Sequence, residues 1–256
     1  MLALDDSGGD DTTIVLLHGL TATRRYVVMG SKALERAGHR VLAYDARGHG
    51  ESDPAQPYDY PSLADDLETV LDDNGVDRAV LAGASMGAHT AVRFALDHPD
   101  RVAGLGLVTP AYLADENPDL ERWDRLARGL REGGVEGFVE AYGDPGVPEA
   151  WRETVMTVLR QRLSRHLHPE AVADALEQVP RSAPFGEVGE LAAIAVPTTV
   201  VASRDEADPG HPLRVGQAYA GAIPGAELLV EEPGKSPLAW QGGQLSRIIA
   251  ATADRA

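Results

Sequence analysis

Apolar residues first run together at "TIVLLH" (residues 13–18), a stretch too short for a helix and unbroken enough for a strand covered on both faces. A loop, "GLTATRRYVV", leads to "SKALERAG", whose spacing and closing Gly38 predict a helix with its C-terminal stop. The alternation then repeats. "RVLAYD" (40–45) predicts a strand, and "SLADDLETVLDD" predicts a helix with Ser62 and Asp65 at its start. "RAVLAGA" (78–84) predicts the next strand, followed by a helix from about Met86 to His98 and a strand at "VAGLGLVTP" (102–110). Continuously apolar strands separated by helices predict an α/β fold: a mostly parallel central sheet with helices on both faces.

This rhythm stops between residues 111 and 196, where helical segments rich in Arg and Glu run without a credible strand. It resumes with strands at "TTVVAS" (198–203) and "AELLVEE" (226–232) and helices over "LRVGQAYAGAI" and "GQLSRIIAATADR". The expected organisation is a core of residues 1–110 and 197–256 with a helical insertion, 111–196, placed as a cap over the strand ends, where open α/β sheets bind ligands. A peripheral helical layer is the competing reading. Trp123, Phe138, Tyr142, Trp151 and Met156 fall in this segment, either lining an apolar pocket or forming the insertion's own core.

Composition narrows the chemistry. The net charge of −17 and the lack of a basic stripe exclude nucleic acid and anionic membrane as natural partners, leaving a small-molecule substrate. No apolar run is long enough to span a bilayer, and the acidic start "MLALDDSGGDD" lacks a signal peptide's pattern, so the expected location is cytoplasmic. Cysteine is absent, which removes disulfides, thiolate metal sites and a cysteine nucleophile together. His166 and His168 stand two apart rather than at the i, i+4 spacing of helical ligands, so no metal is expected. No phosphate-binding glycine loop is present either, and no cofactor is expected.

Three short motifs carry chemistry. "GASMG" (83–87) is a G-x-S-x-G joining a strand directly to a helix, the setting in which a serine stands exposed at the top of a sheet. "LLHGL" (16–20) ends another strand and leaves the Leu20 N–H facing the same crevice; with the Met86 N–H it would form a two-donor oxyanion hole. "DARGHGESD" (45–53) is a glycine-punctuated loop. His18 and His49 read as loop scaffolding and His89 as a packed helix residue. Carboxylate pairs such as Asp65-Asp66 read as solvated faces.

These three motifs, in this order, resemble the α/β-hydrolase fold family, in its branch of small esterase-like enzymes with a helical cap. The resemblance implies an opening two-stranded hairpin, which the short leader makes absent or reduced here. It also implies a triad in the order serine, acid, histidine. Ser85 is then the nucleophile. The acid is Asp208, with Asp205 as the alternative, both in "RDEADPGHP". The histidine belongs after the last strand, but that stretch reads "PGKSPLAWQ", which puts Lys235 at the histidine position; no histidine follows His211.

Lysine is a poor substitute. Its pKa near 10.4 leaves it protonated at neutral pH, and a neighbouring carboxylate would raise that value further. Three readings stand open. His211, three residues after Asp208, replaces the missing base; Lys235 acts as base or as a clamp for an anionic substrate; or the site has lost hydrolysis and binds a small molecule. The leading expectation is a serine hydrolase acting on a small, fairly apolar ester or related carbonyl compound through an acyl-enzyme. A degenerate binding protein and a lyase or C–C hydrolase are the alternatives.

Overall fold

A computed structural model describes residues 1–9, 11–235 and 240–256. Seven strands form one sheet in the order β1-β3-β2-β4-β5-β6-β7: β1 (Leu4–Asp6), β2 (Thr13–Leu17), β3 (Arg40–Tyr44), β4 (Ala79–Ala84), β5 (Val102–Val108), β6 (Thr198–Ala202) and β7 (Glu227–Val230). All neighbours are parallel except β1, which runs antiparallel along β3 with Leu4 opposite Tyr44. This edge strand is the one element of the sheet that the apolar pattern does not reveal. "LDD" carries a single apolar side chain, and the pairing is a matter of backbone hydrogen bonds.

Alternate residues of each strand enter different cores, which explains the unbroken apolar runs. Val15, Leu17 and Leu81 pack with Leu67, Phe94 and Tyr219 on one face; Ile14, Leu16 and Val80 pack with Leu34 and Ile249 on the other. The first face is covered by α2 (Tyr60–Asp73), α3 (Met86–Asp97) and α7 (Leu213–Ala222). The second is covered by α1 (Ala33–Arg36) and α8 (Gly242–Ala253). Helix α2 begins two residues before Ser62, because the Asp59 side chain accepts the Ser62 N–H at 2.8 Å and serves as its N-cap.

Between β5 and β6 lie α4 (Leu120–Tyr142), α5 (Glu149–Leu163) and α6 (Pro169–Gln178). Helix α4 is interrupted at Gly134, where φ is 60° and ψ −145°, and folds back on itself. A side chain at Gly129 would meet the Gly137 carbonyl at 2.5 Å, a contact impossible for residues eight apart in a straight helix. The helices share a core of Leu126, Leu130, Phe138, Leu159 and Leu176, which also receives Leu20 and Met86 from the sheet side. Their layer is tied down by hydrogen bonds from Gly50 N–H to His166 Nδ1 (2.8 Å) and from Leu167 N–H to the Gly50 carbonyl (2.8 Å). Among the described residues no helix is long and apolar enough to cross a membrane.

Candidate active site

The strand-to-helix turn at Ser85 is steric in origin. Ser85 is held at φ 51° and ψ −114°, a region L-residues rarely occupy. The residues two positions to either side, Gly83 and Gly87, must be glycine. A Cβ on Gly83 would lie 2.2 Å from the Gly87 carbonyl oxygen, and one on Gly87 would lie 2.1 Å from that of Leu17. The turn stands Ser85 at the N-terminus of α3, where free N–H groups favour negative charge.

His211 completes the serine's surroundings. Its Nε2 lies 2.9 Å from Ser85 Oγ and its Nδ1 lies 2.8 Å from Asp208 Oδ2. Both residues come from the loop between β6 and α7, which winds tightly: Ala207 and Asp208 donate to the Arg204 carbonyl and His211 donates to that of Asp208. That winding brings side chains three apart onto one side. Burial pushes the Asp208 carboxyl up, but the His211 contact, nearby Arg162 and the Gly210 amide hold it below the usual carboxylate range. Asp205 has a different task, its Oδ1 accepting the Leu213 N–H at 2.7 Å at the start of α7.

Lys235 does not take the histidine's place. It follows a turn at Pro233 and Gly234, is exposed, and faces Glu232 at 3.7 Å. Strand β7 ends at Val230, and the turn sends the lysine to solvent rather than over the strand ends. The rest of "PGKSPLAWQ" up to Trp240, residues 236–239, lies outside the described residues.

The two expected oxyanion donors are placed by the backbone. Gly19 sits against Ser85, since a Cβ there would lie 3.5 Å from the serine Cβ. The Gly19 carbonyl accepts from Ala22 N–H (2.9 Å) and His18 Nδ1 (2.8 Å). A trans peptide carries its C=O and N–H on opposite sides, so both bonds aim the Leu20 N–H away from them. Among the described residues neither the Leu20 nor the Met86 N–H has a protein acceptor.

Three buried histidines, His18, His49 and His89, and the partly buried His166 frame this region without contacting Ser85 Oγ. His18 Nε2 accepts the Ala46 N–H, so its proton sits on Nδ1. His89 Nε2 accepts from Ala111 N–H and its Nδ1 faces Tyr60 Oη at 2.8 Å. His166 accepts from Gly50, and His49 spans the Arg47 and Leu20 carbonyls. Burial pushes His18, His89 and His166 each down to about 3, with His49 lowering His18 and His166 further and His211 lowering His89. In the unfolded chain each would protonate near 6.5. The unfolded state therefore binds more protons between pH 6.5 and 3, and stability falls as pH drops through that window. Each histidine removes up to about 1.4 kcal/mol per pH unit. Urea unfolding at pH 6.5 and 4.5 should show a loss of several kcal/mol; a loss below about 1 kcal/mol would contradict the buried neutral state.

Ser85, Asp208 and His211 open onto a cavity of about 360 Å³ between the sheet and α4–α5, within the range of small-molecule sites. Leu20, Trp123, Phe138 and Tyr142 line it, whereas Trp151, Met156 and Lys235 do not. Two charged lining residues have no counterpart in the sequence reading: Arg122 and Arg162. Arg162 had one legible signal, since it shares a helix face with Val155 and Leu159, where an apolar residue is expected. Among the described residues no group of His, Cys, Asp and Glu is arranged to hold a metal.

Residues 12–203 match the family model of the α/β hydrolase fold. The chain is 33% identical to a 2-hydroxy-6-oxononadienedioate/2-hydroxy-6-oxononatrienedioate hydrolase of Pseudomonas putida, over 90% of this chain and 82% of that one. Among solved structures, a thermophilic esterase from Thermogutta terrifontis, determined with malate bound, superposes with a TM-score of 0.78 at 28% identity, covering 99% of this chain and 92% of that one. An enol-lactonase from Burkholderia xenovorans gives 0.74 at 25% identity, covering 99% and 94%. With its sheet order, its Ser85 turn and a family match over most of its length, the chain belongs to the α/β hydrolase fold family.

Proposed function

We propose that this protein is a serine hydrolase that cleaves a small, fairly apolar ester or related carbonyl compound through an acyl-enzyme. The observation that carries the reading is the unbroken line Ser85 Oγ, His211 Nε2, His211 Nδ1, Asp208 Oδ2, with both links under 3 Å. Ser85 Oγ attacks the carbonyl carbon while His211 Nε2 takes its proton. Asp208 holds the Nδ1–H, which fixes the ring's tautomer and stabilises the imidazolium. The Leu20 and Met86 N–H groups receive the oxyanion. Collapse breaks the bond to the leaving oxygen, which takes the proton back from His211, and a water activated by the same nitrogen then releases the acid. The complete relay favours turnover over a pocket that only binds.

A C–C bond hydrolase is a second reading, favoured by the identity to the Pseudomonas putida enzyme. Both uses share the serine and differ in the leaving atom. The test is hydrolysis of p-nitrophenyl butanoate by the purified protein, with acid-quenched samples digested to find the acyl group. Turnover with an adduct on the Ser85 peptide is expected; no turnover and no adduct would overturn the proposal. Faster turnover of a vinylogous diketone than of any ester would favour the second reading.

A further inference from the structure

Arg162, on α5, lines the same cavity as Ser85 and His211. Its Nε is sealed from solvent and has no hydrogen-bond partner, and among the described residues its guanidinium makes no ion pair. Arginines elsewhere on this insertion are either ion-paired, as Arg131 is with Asp174 and Glu177, Arg160 with Glu136 and Arg181 with Asp124, or exposed to water, as Arg125, Arg128 and Arg165 are; Arg162 has neither a carboxylate nor solvent at its Nε. Arg122 is a second cation on the cavity wall, its guanidinium carbon 5.3 Å from the Tyr142 ring centre and 5.6 Å from that of Trp123, again without a carboxylate partner among the described residues.

Asp208 is the cavity's one carboxylate among the described lining residues, and its Oδ2 is engaged by His211. Burial pushes the Arg162 guanidinium down, with Tyr142, Asp208 and Tyr26 only partly opposing it. A desolvated charge without a counter-ion is unfavourable, and an anion arriving in the cavity would relieve it. The protein's overall charge repels anions, so this local cation pair selects rather than merely attracts.

We propose that the cavity takes an acyl substrate whose non-reacting end bears a carboxylate, received by Arg162 with Arg122 beside it. The proposal rests on the reading of this cavity as the acyl pocket of a serine hydrolase. The bidentate fork of an arginine matches a carboxylate, and the apolar lining accommodates the methylene chain between the two ends.

The test compares mono-p-nitrophenyl esters of adipate, pimelate and suberate with isosteres in which an isopropyl group replaces the carboxylate. Wild type should prefer at least one carboxylate ester by kcat/KM, and added salt should shrink that preference. In Arg162→Met the ratio of carboxylate to isostere kcat/KM should fall by about 10- to 100-fold, carried by KM. Turnover of the neutral esters with no carboxylate preference in wild type would overturn the inference and leave the hydrolase reading standing. Equal losses on both ester types in Arg162→Met would also overturn it. No turnover of any ester would overturn the hydrolase reading itself.

Discussion

Replacing His211 with alanine lowers kcat for ester hydrolysis by about 10⁴- to 10⁶-fold, the usual loss for a triad member. Replacing Lys235 with alanine leaves kcat within about twofold, because a side chain turned to solvent beside Glu232 can affect the site only through a weak, screened field. The relay at 2.9 Å and 2.8 Å gives His211 both the reach and the orientation of a general base. Ser85→Ala and the double variant Ser85→Ala/His211→Ala should fall to the same floor as His211→Ala, since neither residue works alone. Restoring the family's usual residue with Lys235→His should bring no gain. Steady-state kinetics on p-nitrophenyl butanoate measures all five variants, and a His211→Ala enzyme near the wild-type rate would contradict the assignment.

The second large effect belongs to Asp208. Asn at this position keeps the shape but presents an amide to His211 Nδ1, which favours the wrong tautomer, and kcat should drop by about 10⁴-fold. Asp205→Ala separates the two aspartates of the loop. It removes the acceptor of the Leu213 N–H at the start of α7 and should cost about 1 kcal/mol in unfolding free energy, with kcat retained. Urea unfolding and kinetics on the same two variants read both outcomes. A larger loss of kcat in Asp205→Ala than in Asp208→Asn would reverse the roles.

Much of this was written in the apolar pattern. Strands such as "RAVLAGA" and "VAGLGLVTP" announce a buried parallel sheet because both faces need apolar side chains, and "GASMG" announces its turn because only glycine fits at positions 83 and 87. Strand β1 stayed hidden because an edge strand needs a backbone partner more than an apolar sequence. His211 was legible as one of two candidate bases, with Lys235, between which the sequence did not choose. Its role depends on a loop winding that turns positions 208 and 211 to one side, and loops have no periodicity from which such geometry can be read. The expectation for Lys235 arose from chain order alone, which says which strand a residue follows and nothing about where the next turn sends it. Arg162 escaped for the opposite reason: it looks like one more arginine in an Arg-rich helix until the cavity shows what it lacks.

The central claim is that His211, and not Lys235, activates Ser85. The most direct measurement is the second-order rate at which a fluorophosphonate labels Ser85 in wild type, His211→Ala and Lys235→Ala, with the labelled peptide identified by mass spectrometry. The account predicts equal rates for wild type and Lys235→Ala and a rate lower by more than about a thousandfold in His211→Ala. Labelling of His211→Ala at the wild-type rate, or loss of labelling in Lys235→Ala, would contradict it.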